Sequence, residues 1–401
     1  MKNKYEKTIF ACFGGYVVQA IVNGFVPLLF VTFQSQYDVP LDQITLLITV
    51  NFVLQLSTDL AATFLVDKLG YRFCVLFAHA CAALGLVCLT ILPELFASPF
   101  VGLMISVIIY AVGGGLIEVV ISPIVDACPS ERKDKTMSLL HSFYSWGSVA
   151  VVALSALFFE LAGINNWKII SLVWAAFPLV NGILFAFAPM PSIYGESGEH
   201  MGLGKLLKNK TFWLFFAVMV CAGACELAIS QWASTFVENT LELPKAVGDL
   251  LGPALFAVTM GLSRLVYGKS GDKLNLDNAM LMSGICCTVA YLMIALAPVP
   301  AVALIGMALC GFGVGITWPG TYSAASARLP GGGSAMFALL ALGGDLGCVS
   351  GPAVVGWVTD SLGGDMKMGL LCATAFPLAL TLLLLFGKKR QKKTPKATAE
   401  E

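Results

Sequence analysis

Long runs of apolar residues, broken by short polar or charged clusters, recur from one end of the chain to the other. Each run reaches about 18 residues or more, enough to cross a hydrocarbon core of about 30 Å as a helix. Twelve such spans are predicted, at 8–34, 43–66, 73–95, 98–125, 136–160, 167–189, 211–237, 246–267, 278–297, 301–327, 334–359 and 366–387. The first follows "MKNKYEK", but its apolar part is far longer than the core of a signal peptide, so it is read as a retained helix.

Composition agrees with the pattern. Of 401 residues, 58% are hydrophobic and only 12% charged, and the mean hydropathy of +0.84 lies outside the range of soluble domains. The chain is therefore read as an all-α, multi-pass membrane protein. Lysine and arginine crowd the cytoplasmic ends of membrane helices. With the N-terminus placed in the cytoplasm of a cell inner (plasma) membrane, only Lys168, Lys245 and Lys367 of the 24 basic residues fall outside. Both termini are then cytoplasmic, and no Lys or Arg is expected deep within a span. The cysteines lie almost entirely inside spans, where a thiol behaves as a small apolar group, so neither disulfide nor metal site is expected.

Residues 190–210, "MPSIYGESGEHMGLGKLLKNK", form the one long polar stretch between spans and are read as a cytoplasmic linker. It joins an N-terminal six-helix bundle, 1–189, to a C-terminal one, 211–387, followed by a basic tail, 388–401. The halves resemble each other. "LLHSFYSWGSV" from Leu139 matches "LLALGGDLGCV" from Leu339, Glu160 and Gly163 answer Asp360 and Gly363, and "VDKLGYR" from Val66 answers "GDKLNLD" from Gly271. Two related bundles are the architecture of a rocking transporter with its site at the repeat interface near the bilayer midplane.

"LVDKLGYR" between spans two and three, "GLSRLVYGKSGDK" between eight and nine, and the six-plus-six plan resemble the major facilitator superfamily. Within it, "GGGLIEVVISP", "HSFYSWG" and "TWPGTYS" are similar to the fucose permease branch of sugar:proton symporters. The resemblance implies the major facilitator fold, with twelve transmembrane helices in two pseudo-symmetric bundles, and a proton-accepting carboxylate at Glu118. It also implies an inner gate at Asp67 with Arg72 and at Asp272 with Arg264.

Once loops are set aside, four acids remain within spans: Asp59, Glu118, Glu226 and Asp345. A charge at mid-bilayer costs roughly 2.5–3.5 kcal/mol on insertion scales, so each must face a cavity, find a partner or stay protonated. Desolvation disfavours the charged form, which makes all four candidates for carrying a proton. Glu118 lies about eight residues, roughly 12 Å of helix, from the cytoplasmic end of its span. Asp59 reads equally as a second proton site or cation contact and as a buried cap near the gate. Asp345, among glycines, reads equally as a substrate contact and as a structural hydrogen bond. Glu226 is read as facing the cavity. His79 is read as a packed histidine.

Gln19, Asn23, His141, Tyr144, Trp146, Gln231, Trp232 and Trp318 complete the candidate site. A sugar needs amide and hydroxyl partners for its hydroxyls and a flat ring for its apolar face, and these side chains offer both. No phosphate-binding loop, metal-ligand spacing or nucleophile elbow is seen, so neither an enzyme, a cofactor nor a nucleic-acid partner is expected. The leading reading is a monomeric secondary transporter that takes up a small neutral polar solute, such as a monosaccharide, with a proton. Sodium is the other candidate for the coupling ion. The alternatives are a proton-coupled exporter of cationic drugs and a membrane receptor or scaffold. With four acids and no base in the spans, an anionic solute is disfavoured.

Overall fold

The computed structural model describes residues 4–192, 201–239, 241, 254–270 and 274–393. Eleven helices among the described residues are long and apolar enough to cross a membrane, and they fall on eleven of the twelve predicted spans. Span eight is seen as a helix over Leu255–Ser270; the first part of its predicted range lies outside the described residues. The chain divides into two compact units, one of Met1–Gly202 with Pro330–Leu342, the other of Leu203–Leu329 with Gly343–Glu401.

The first unit holds α1 (Glu6–Gly24), α2 (Phe30–Tyr37), α3 (Leu41–Leu69), α4 (Tyr71–Leu95), α5 (Pro99–Ala127), α6 (Lys133–Ala162) and α7 (Trp167–Phe187). Span one is not a single helix. A 3-10 turn over Val26–Leu29, with Pro27 inside it, separates α1 from α2, because proline has no N–H to continue the ladder. Apolar side chains line the outer faces, as with Phe187 at 84% exposure on α7, which suits a lipid solvent.

Helices in lipid gain little from hiding oil from oil, so they associate through small residues that let backbones touch. "GGG" at 113–115 does this in three directions at once. A Cβ on Gly113 would stand 2.7 Å from the Ala78 carbonyl of α4, one on Gly114 2.9 Å from Val22 of α1, and one on Gly115 3.2 Å from the Gln55 backbone of α3. These glycines draw α5 into the middle of the unit. Glu118, one helical turn beyond Gly114, is thereby carried to the side that meets α1.

In the second unit are α8 (Leu203–Lys208), α9 (Lys210–Asn239), α10 (Leu255–Ser270), α11 (Leu276–Ala295), α12 (Pro300–Val314), α13 (Thr317–Arg328), most of α14 (Gly333–Ser361), α15 (Met366–Ala373) and α16 (Ala375–Lys393). Span ten is interrupted at Gly315 and Ile316, between α12 and α13. The repeat seen in the sequence recurs in the packing. As Gly113 and Gly115 approach α4 and α3, so Gly313 approaches Cys287 of α11 and Gly315 approaches Ser263 of α10. Gly163 and Gly363, the matched pair after spans five and eleven, both take positive φ, 84° and 69°, a conformation glycine adopts without the Cβ penalty.

The tightest contact joins α9 to α14, where a Cβ on Gly347 would lie 2.0 Å from the Val220 carbonyl oxygen. Neither backbone can yield without parting the helices. Gly347→Val should therefore lower stability by at least about 1–3 kcal/mol, the cost of overpacking. Gly204→Ala, which meets nothing within 4 Å, should melt with the wild type in the same detergent.

Candidate functional site

α1 is the hub of a polar network inside the first unit. Tyr16, Gln19 and Asn23, spaced three and four residues apart, share one face of that helix, and each reaches a different neighbour. The Gln19 Nε2 donates to Glu118 Oε2 of α5 at 2.7 Å. Asn23 Oδ1 accepts from Gln55 Nε2 of α3 at 2.9 Å. The Tyr16 hydroxyl lies 2.8 Å from Ser122 Oγ of α5 and 3.2 Å from His141 Nε2 of α6. The Tyr144 ring meets the Tyr16 ring edge-on, with centroids 6.4 Å apart. Glu118 is half-buried, while Gln19, Gln55, Tyr16 and His141 are buried. The Gln19 N–H donates to the carboxyl whichever form it takes, so this contact holds the Glu118 side chain against α1.

Five expected residues thus gather here: Gln19, Asn23, Glu118, His141 and Tyr144. Tyr16, Gln55 and Ser122 were missed. Their signal was helical register: Tyr16 is three residues before Gln19, Gln55 four before Asp59, and Ser122 four after Glu118, each a polar position on an already polar face. Asp59 is fully buried on α3, and its backbone carbonyl accepts from Thr63 Oγ1 at 3.1 Å. Trp146 is 36% exposed. His79 is packed as expected, with Nδ1 2.7 Å from the Val75 carbonyl and Nε2 2.8 Å from Asn181 Nδ2.

At the positions expected to form the gate, Asp67 Oδ1 accepts from Ser334 Oγ at 2.5 Å, in the first turn of α14. A carboxylate there meets the positive end of a helix. Arg72 donates to the carbonyls of Phe185, Ala186 and Ala188 at 3.1, 2.5 and 2.8 Å. Its charge caps the C-terminal end of α7, where carbonyls lack helical partners.

The second unit overturns one expectation. Arg264 was placed at a cytoplasmic helix end beside Asp272, and the spans were expected to hold no base. The helix instead runs on to Ser270, leaving Arg264 about 9 Å before its end at helical rise. The side chain is 3% exposed and pairs with Glu226 of α9, Nη2 to Oε2 at 3.4 Å. Its Nε donates to the Gly315 carbonyl at 2.9 Å. Gly315 sits at the break in span ten, where helical bonds are lost, so the guanidinium serves a freed backbone acceptor as well as a carboxylate. Glu226 is thus not an acid without a basic neighbour, and the argument against an anionic solute loses one of its supports. Asp272 lies outside the described residues.

Beyond that break, Trp318 is 8% exposed, and a Cβ on Gly344 would stand 2.3 Å from its ring. The ring therefore lies on bare backbone beside the half-buried Asp345. Trp232 donates from Nε1 to the Pro352 carbonyl at 3.0 Å and covers Gly356, which commits it to the contact between α9 and α14. Gln231 is exposed. Near the other end of the unit, Arg328 pairs with Asp277 and lies over the Phe215 ring, 5.2 Å from its centroid.

Among known proteins, the family model described as Major Facilitator Superfamily matches residues 9–335. An uncharacterized MFS-type transporter of Yersinia pestis is 25% identical over 304 residues, 74% of each chain. The crystal structure of the E. coli fucose:proton symporter superposes with a TM-score of 0.81 at 15% identity, covering 96% of this chain and 99% of that one. A bacterial homologue of the iron transporter ferroportin, outward-facing, gives 0.76 at 13% identity, over 95% and 99% of the two chains. The human organic anion transporter MFSD10 gives 0.71 at 16%, again over 95% and 99%. At such identities these structures speak for the fold alone.

Proposed function

We propose that this chain, which belongs to the Major Facilitator Superfamily, takes up a small neutral polar solute, such as a monosaccharide, together with a proton by alternating access. The observation that carries this reading is the α1-centred network, in which a half-buried carboxylate, Glu118, is held by an amide amid further amide and hydroxyl groups. Such a surface offers hydroxyl groups both donors and acceptors, and the carboxylate is the group that takes up and releases the proton. Asp67 and Arg72 belong to the cytoplasmic gate, with both termini in the cytoplasm. The fucose:proton symporter shares the fold, and proton symport by that protein is consistent with the proposal.

One observation favours a second reading. The buried Arg264 is a group able to recognise a carboxylate or phosphate on a solute, and the organic anion transporter among the structural neighbours has the same fold. Uptake into proteoliposomes under an imposed inward pH gradient separates the readings. Labelled monosaccharides and polyols should accumulate. Accumulation of their acidic counterparts alone would favour the second reading, efflux of organic cations would favour an exporter, and no flux of any kind would overturn transport.

A further inference from the structure

The Gln19 side chain is only 4% exposed, and the two ends of its amide are treated differently. Nε2 donates to Glu118 Oε2 at 2.7 Å. Oε1 is buried and accepts no hydrogen bond among the described residues. A stranded buried acceptor is unfavourable and calls for a reason.

The chemistry of the pair supplies one. An ionised carboxylate only accepts, so beside an amide it can use the N–H and has nothing to offer the carbonyl oxygen. A protonated carboxyl both accepts and donates. It can face an amide through two parallel hydrogen bonds, N–H to carbonyl and O–H to amide oxygen. Resting on the reading of Glu118 as the proton carrier, we infer that Gln19 Oε1 is the built acceptor for the proton that Glu118 takes up. In that step a hydronium ion loses a proton and becomes water as an O–H bond forms on the Glu118 oxygen that does not hold Nε2. That O–H then donates to Gln19 Oε1.

Gln19 is then a positioning residue that serves both charge states. Its donor holds the carboxylate and its acceptor holds the acid, so α1 and α5 keep their contact while the proton comes and goes. The neighbouring titratable groups have their own engagements. The Tyr16 hydroxyl on α1 lies between Ser122 and His141 of α6, His79 on α4 contacts Val75 and Asn181, and Asp59 is enclosed on α3. None of these is hydrogen-bonded to Gln19 Oε1.

The test is infrared difference spectroscopy of the full-length protein in lipid, stepped through pH, with protons as the only ligand. The protonated-carboxyl stretch of Glu118 is assigned by its loss in Glu118→Gln. In the wild type it should lie at the lowered frequency of a doubly hydrogen-bonded acid. In Gln19→Met, which keeps the length and removes both polar ends, it should move to higher frequency. A wild-type band at the frequency of an unbonded carboxyl, or a Glu118 band unmoved in Gln19→Met, would overturn the inference while leaving proton carriage by Glu118 intact. The wild-type arm stands even if the methionine variant fails to fold. If Glu118→Gln removes no titrating band, the underlying reading fails, and the inference with it.

Discussion

Glu118→Gln should abolish proton-driven accumulation of solute while sparing solute exchange across the membrane. The substituted amide resembles the protonated acid in shape and can still accept from Gln19 Nε2, so the contact between α1 and α5 survives. What is lost is the ability to gain and release a charge. With one proton per solute, a gradient of one pH unit supplies about 1.4 kcal/mol, which is tenfold accumulation. The variant should reach equal concentrations inside and out and go no further. Counterflow, in which both faces of the cycle are visited with the site loaded, should proceed in the wild type and the variant alike. Undiminished accumulation in the variant would remove Glu118 from the coupling scheme.

Arg264→Met should be the most destabilising single change at the polar sites. It leaves Glu226 half-buried without its partner and the Gly315 carbonyl without its donor. Removing one member of a buried ion pair costs about 3–5 kcal/mol, because the charge left behind is desolvated and uncompensated. Replacing both members by apolar groups avoids that cost, so Arg264→Met with Glu226→Met should recover much of the loss. The recovery should stop short of the wild type by about 1–3 kcal/mol, since the Gly315 acceptor stays unserved in the double variant. Thermal unfolding in detergent of the wild type, both single variants and the double variant measures the coupling as a double-mutant cycle. Additive losses would show that the two side chains do not support each other.

The sequence and the structure part company at particular residues, for physical reasons. Spans are legible because crossing a bilayer demands an apolar run of a certain length, whatever its neighbours do. Glu118 is legible because it is the one charge in a long apolar stretch, and the three glycines before it because only close helix contact explains so many in a row. Arg264 was hidden by its surroundings: predicted span eight already contained it, but "GLSRLVYGKSGDK" mixes glycine with charge, so the arginine was assigned to the cytoplasmic end of a span read to 267, whereas the helix continues to Ser270. Depth in the membrane follows from where a helix ends, which glycine and lysine signal only weakly. Tyr16, Gln55 and Ser122 are unremarkable singly and become a site only when three helices turn those faces together. Trp232 shows the reverse case, an aromatic that suits a cavity by type but is taken up in holding α9 against α14.

Proton movement measured alongside solute movement tests the account most directly. In lightly buffered proteoliposomes, adding a transported solute outside should alkalinise the medium in step with its uptake by the wild type. Glu118→Gln should take up the same solute down its gradient with no change in external pH. Equal alkalinisation by the two proteins, or solute entry into the wild type without any, would contradict proton coupling through Glu118.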